Sequence, residues 1–223
     1  MRNVYYNPMR NLAIVVPFFA AAFLGGGFGA HQQQTTLKAA ALESHDGLTI
    51  SAQPWMDAAQ YKQKFPKKSP FAVGILAMQI TFRNDSNESI KIDLDSIRLN
   101  VTLSEDQRQG LLPLTAEEVA DLVMNAGNKD PTAKRKTFPI PGKRPSAGRD
   151  KNWTAIQKDA EQAAIPSSVV APHRTVEGLL YFNLQNQFDL LSTAHLYVPS
   201  VTALEKNHPL LYFEIDLSRP AGH

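Results

Sequence analysis

The chain has 223 residues, 43% hydrophobic and 20% charged, with a formal net charge of +2, a composition that suits a globular protein and excludes a disordered one. It contains no cysteine, which excludes a disulfide framework, a zinc–thiolate cluster, a thiol nucleophile and a lipoprotein anchor. A charge so nearly balanced also excludes a general nucleic-acid binder, which would be far more basic, so no nucleic acid is expected as a partner.

In chain order, the first element is a targeting signal rather than part of a fold. Arg2 and Arg10 flank a polar start, and Leu12 to Ala30 ("LAIVVPFFAAAFLGGGFGA") runs 19 residues without a charge. A basic start, an apolar stretch and small residues at its end describe a secretory signal. Gly27 and Gly29 supply the small positions before a cut that leaves Ala30 or His31 as the new terminus. The other reading of residues 1–30 is an uncleaved anchor, since about 20 apolar residues span a bilayer. Pro17 and the glycine cluster weaken such a helix. Either way the two arginines hold the start in the cytoplasm, and the rest is expected to be extracytoplasmic, periplasmic or secreted. Residues 12–30 are the membrane tether if the signal stays uncut. Beyond residue 30 the chain carries 21 basic and 21 acidic residues.

Residues 31–45 are polar and read as a tether, and residues 46–217 as the folded domain, with a tail over 218–223. Leu48, Ile50 and Ala52 alternate with Thr49 and Ser51, predicting a first strand stopped by Pro54. Met56 to Pro70 is a connection with room for a short helical turn. Val73 to Phe82 ("VGILAMQITF") is the strongest strand, with Leu76, Met78, Ile80 and Phe82 on one face and Ile75, Ala77, Gln79 and Thr81 on the other.

A polar turn, "RNDSNES", follows. After it Ile90, Ile92 and Leu94 hold even positions, whereas Ile97, Leu99, Val101 and Leu103 hold odd ones. A one-residue slip turns a strand's apolar face to the opposite side, so Asp95–Ser96 must carry a bulge or a corner. Two geometries satisfy this: a strand that leaves one sheet for a second packed on it, or two strands joined by a tight turn.

Residues 115–165 read as an insertion. Thr115 with Glu118 makes a capping box, Val119, Leu122 and Val123 form an apolar stripe, and Gly127 supplies the stop, predicting a helix of about ten residues. Lys129 to Lys151 holds eight basic and two acidic residues and four prolines, an extended basic loop. Asn152 to Ile165 predicts a second helix, capped by Asn152 or Thr154. Strand character returns at Val176–Leu184, Thr193–Val201 and Pro209–Leu217. In the last, Leu211, Phe213, Ile215 and Leu217 are expected to face in and Tyr212, Glu214 and Asp216 out. Six or seven strands without βαβ alternation predict a mainly β fold, an antiparallel sandwich carrying a helical, basic-loop insertion.

Two stretches carry a resemblance: "ITFRNDSNESIKIDL", Ile80 to Leu94, and "VVAPHRTVEGLLYFNL", Val169 to Leu184. With them the chain resembles the secreted bacterial immunoglobulin-like domains of unknown function described as telokin-like. In those a long strand ends in a polar turn leading to an I-x-I-x-L strand, and later a proline-marked turn precedes a G-x-L-Y-F strand. The resemblance covers about half of the exported chain, and the insertion departs from it. It implies an immunoglobulin-like sandwich with an extracytoplasmic binding or assembly role, and it carries no active-site residues across.

Residue chemistry is sparse. The six histidines have no HxH or HExxH partner, and His195 reads as an ordinary strand residue. Asp93 and Asp95 share one strand face, and with Asp85 and Glu88 they offer oxygens of the kind calcium takes, but the D-x-D-x-D-G pattern is missing. No serine-nucleophile signature or phosphate loop is present. No catalytic residue, metal or cofactor is therefore expected. The basic loop stands out instead, able to steer towards an anionic surface or an acidic envelope protein. Lys134, Arg135, Lys136, Phe138, Lys143 and Arg144 are its candidate contact residues. The expected function is an exported, non-enzymatic binding or assembly module of the cell envelope with an unidentified partner. The alternative is an extracytoplasmic hydrolase of cell-wall or polysaccharide material, which would need Asp93, Asp95, His195 or Glu214 gathered in one pocket.

Overall fold

Strand β3 (Ile75–Asn84) organises the molecule because both of its faces are apolar. In the computed structural model, which describes residues 40–104, 107–126 and 150–218, β3 is central in a four-stranded antiparallel sheet. Its neighbours are β2 (Leu48–Pro54) and β8 (Thr175–Asn183), with β1 (Ala41–His45) beyond β2. The described residues all belong to one compact unit, Leu37–His223. Leu76, Met78, Ile80 and Phe82 enter one apolar core, and Ile75 and Ala77 enter a second on the opposite side, as their alternation predicts.

The first core is closed by two smaller antiparallel sheets. The second sheet holds β4 (Ile90–Ile92), β7 (Val169–Val170), β10 (Val201–Ala203) and β11 (His208–Pro209). The third holds β5 (Arg98–Ser104), β6 (Gln107–Leu111), β9 (His195–Val198) and β12 (Phe213–Asp216). Ile90, Ile92, Ile97, Leu99, Leu196, Val201, Phe213 and Ile215 meet the first sheet in that core. Each such fully buried side chain contributes roughly 1.5–3 kcal/mol.

The phase slip is a change of sheet. A 3-10 turn, Leu94–Ser96, carries the chain from β4 in the second sheet to β5 in the third. Across from it, the segment read as one strand over Thr193–Val201 breaks at Pro199 into β9 and β10, which follow the same division. The N–H of Asp93 donates to Ser200 O at 3.0 Å and bridges the kink. Proline has no N–H to donate, so the ladder cannot run through position 199.

The second core lies under three helices: α1 (Ala58–Lys64), α2 (Ala116–Asn125) and α3 (Lys151–Ala163). Val119, Val123, Trp153, Ile156, Tyr61 and Phe65 pack there with Ile75, Ala77 and Tyr181 of the sheet. Capping boxes start α1 at Asp57 and α2 at Thr115. The start of α3 differs from the expectation: Asp150 is the cap, accepting from the N–H groups of Asn152 and Trp153 at 2.9 and 2.8 Å.

Three further readings need correction. Ala41–His45, read as the end of a tether, is strand β1, turned back onto β2 by Asp46 and Gly47 at φ 50° and 76°. Positive φ at both central residues is the two-residue hairpin turn that Asp-Gly favours. Leu211, expected inside, is 69% exposed because β12 begins only at Phe213. Leu103, also expected inside, is 42% exposed, beyond the last residue of β5 that reaches the core.

Both edges of the first sheet are occupied. On the β1 side the His45 ring stacks on Phe213 at 3.7 Å and bonds Tyr212 O at 3.2 Å, while Glu43 accepts from the N–H of Glu214. On the β8 side Leu114 N–H donates to Tyr181 O at 2.7 Å, and Ala164 bridges Leu179. A side-chain atom on Gly178 would lie 2.5 Å from the Ile165 backbone, so glycine is what lets the exit of α3 cross this strand.

Candidate functional site

The contact residues expected from the basic loop, Lys134, Arg135, Lys136, Phe138, Lys143 and Arg144, lie outside the described residues. So does the candidate membrane segment 12–30, and among the described residues no helix is long and apolar enough to cross a membrane. The two helices flanking the loop are described, and their apolar faces are spent on the first sheet. Through those faces they support the domain.

The carboxylates grouped by sequence separate in space. Asp85 pairs with Arg83 at 3.0 Å, and Glu88 is held by the Lys206 ammonium. That contact and its charge raise the pKa of Lys206, while the N–H of Ser89 on Glu205 lowers that carboxyl. Asp93 and Asp95 line a cleft of about 580 Å³ with Lys91, Ser168, Ser200 and Thr202. This cleft is the outer side of the kink between the second and third sheets, shaped by the Leu94–Ser96 turn and the Pro199 break. Among the described residues no group of three or more His, Asp or Glu side chains is placed to hold a metal ion.

His195 and Glu214 line a different cleft, of about 440 Å³, on the outer face of the third sheet. Alternation builds that face. Leu99 and Val101 of β5, Leu196 of β9, and Phe213 and Ile215 of β12 are buried. Their neighbours Arg98, Asn100, Thr102, His195 and Glu214 therefore point outward. Register aligns them in rows: Gly110, Asn100 and His195 side by side, Arg108 opposite Thr102, and Arg98, Tyr197 and Glu214 in line. His195 Nδ1 lies 3.8 Å from Glu214 Oε1, both side chains open to solvent. Tyr197 rests on Tyr212 with ring centroids 5.5 Å apart. The four groups a hydrolase would need are thus split between two clefts, two and two.

Sequence reasoning missed the arginine-bearing half of this face. One signal was present in it: Arg98, Asn100 and Thr102 occupy alternate positions of one strand opposite its apolar set. Nothing in the sequence revealed that β6 and β12 would flank them.

No family model matches the chain, and no curated protein matches it. Among solved structures it is similar to the crystal structure of a functionally unknown protein from Listeria monocytogenes EGD-e. The identity is 12%, 72% of each chain is covered, and the TM-score is 0.33. A likeness that weak bears on neither the fold nor the function.

Proposed function

We propose that this chain is an exported, non-enzymatic binding or assembly module of the bacterial cell envelope, built on an immunoglobulin-like, telokin-like β-sandwich. The sandwich reading draws support from one apolar core shared by a large antiparallel sheet and two smaller ones. Export rests on the residues of the 1–30 segment, with its basic start and uncharged stretch. One observation carries the binding role. The first sheet is covered on both faces, whereas the third sheet turns a cleft of convergent polar groups to solvent. Recognition on a rigid β scaffold is placed on such surfaces and on the loops around them. The hydrolase alternative has less support, because its carboxylates and histidine are divided between two clefts.

The basic loop is the second contact element of the proposal. A deletion over 129–151 would also remove Asp150, the cap of α3, so the informative deletion spans 129–148. The test is cosedimentation of the purified chain with isolated bacterial envelopes. The unaltered chain is expected to sediment with them. The 129–148 deletion, or the pair Arg98→Ala/Arg108→Ala, is expected to release a measurable fraction. A chain that stays in the supernatant, or sediments equally in all three forms, overturns the reading.

A further inference from the structure

Resting on the reading of the chain as a binding module, we propose that the outer face of the third sheet binds a carboxylated polysaccharide. Three features of this face point to that ligand. The first is charge without partners: among the described residues neither Arg98 nor Arg108 makes an ion pair, although both line the cleft. The acids on the opposite side are engaged. Asp216 Oδ1 accepts from Ser218 N–H and Oγ, and Glu214 faces His195 at 3.8 Å. Among the described residues, negative groups of a ligand therefore have a place on the β5–β6 half and none on the β12 half.

The second feature is spacing. Arg108 stands opposite Thr102, and Arg98 is four residues further along β5. At about 3.3 Å per residue the two arginines are rooted about 13 Å apart along the strand. That separation suits a repeating anion laid along the sheet better than one compact anion. Guanidinium groups match carboxylates in a planar, two-point fashion.

The third feature is the floor between the arginines, which is kept open. A Cβ at Gly110 would stand 3.1 Å from Asn100 Oδ1 and 3.5 Å from Arg98 Cδ. With glycine there, the Asn100 amide is reachable from above, and Thr102, His195 and Glu214 add groups that exchange hydrogen bonds with hydroxyls. Tyr212, 52% exposed and packed on Tyr197, offers a flat apolar surface beside them for a sugar ring. A phosphate polymer would use the arginines alone and leave Thr102, Asn100, His195 and the Tyr212 surface without a partner. A protein partner would need a large apolar anchor in the cleft, and the apolar residue at its wall, Val101, turns its side chain into the core.

The test is affinity electrophoresis and calorimetry of the full chain with polygalacturonate, against neutral dextran and inorganic polyphosphate. Binding to polygalacturonate is expected, weakening as salt rises. Arg98→Ala/Arg108→Ala is expected to lose about tenfold or more in affinity. Gly110→Trp, which fills the floor, should lose a similar factor. Lys62→Ala/Lys158→Ala removes the same charge from exposed helix positions and should change affinity less than about twofold. Melting curves establish that each variant is folded, and the arginine pair decides the matter if Gly110→Trp is not. No binding by the unaltered chain, equal loss in the lysine pair, or equal binding of polyphosphate overturns the proposal. Envelope cosedimentation retained without polygalacturonate binding sinks this inference alone. Polygalacturonate binding without cosedimentation sinks the envelope reading instead.

Discussion

The side-chain amide of Asn84 donates to the carbonyl oxygens of Glu88, Val170 and Ala171 at 2.7, 3.0 and 3.2 Å, and its Oδ1 accepts from Ser86 N–H and Oγ at 2.9 and 2.7 Å. It is fully buried. The polar turn after β3 is therefore built around one inward amide that joins it to β7. Asn84→Asp keeps the shape but replaces the donor with a carboxylate facing three carbonyls. Roughly 3 kcal/mol of stability should be lost, since buried acceptors are left unpaired beside a buried charge. Urea denaturation reads this directly, and an unchanged midpoint would refute the turn's dependence on that amide. Composition marked "NDSNES" as a turn. Which of its asparagines points inward depends on Val170 and Ala171, some 86 residues away, and no local rule reaches that far.

At the scale of elements, local chemistry was most legible where a side chain acts on its own neighbours. The Thr115–Glu118 box forms as its spacing predicts, with Thr115 N–H donating to Glu118 Oε2 at 2.8 Å. The cap of α3 was misassigned because Asp150, Asn152 and Thr154 are all competent caps, and choosing among them requires knowing where the Trp153 ring must go. That ring is buried against the first sheet, and its Nε1 donates to Asp121 at 2.7 Å. The cap therefore lies two residues before Asn152, and α3 begins at Lys151. Asp150→Ala should cost about 1 kcal/mol and Asn152→Ala much less. Thermal melts of the two variants compare them, and equal losses would return the cap to an open question. Strand β1 was missed for a different reason. Ala41 is its one buried apolar residue while Leu42 faces solvent, so no apolar alternation marks it, and only the Asp-Gly pair announced the hairpin.

Across the whole molecule, two buried tyrosines tie the helical layer to the first sheet. Tyr61 Oη accepts from Ala77 N–H at 2.7 Å and donates to Trp55 O, filling the ladder where β2 ends at Pro54. Tyr181 Oη donates to Ala160 O of α3 at 3.1 Å. Burial pushes both phenols above their ordinary value of 10.0, and for Tyr181 the nearby Tyr61 and Asp159 add to the rise. Above about pH 10 the unfolded chain releases these protons and the folded chain keeps them. Their stabilising effect is therefore complete below about pH 10 and is lost as pH rises further. The slope reaches about 1.4 kcal/mol per pH unit for each tyrosine. Urea midpoints taken between about pH 9 and 11 should fall accordingly, and Tyr61→Phe/Tyr181→Phe should flatten the fall. A double variant with the native slope would refute the assignment.

What the sequence determined by itself is what depends on neighbours in the chain: the mainly β character, the two apolar faces of β3, the capped helix α2 and the change of side at Asp95–Ser96. Alternation and capping act over a few residues, so a linear reading captures them. Tertiary structure decided the rest. It divided Asp93 and Asp95 from His195 and Glu214, and it turned the inserted helices into a covering layer for the first sheet. It also brought Arg98, Arg108 and Gly110 together on one open face. Those outcomes depend on pairings such as Asn100 with His195, whose partners are set by how the sheets share a common core and not by any local pattern.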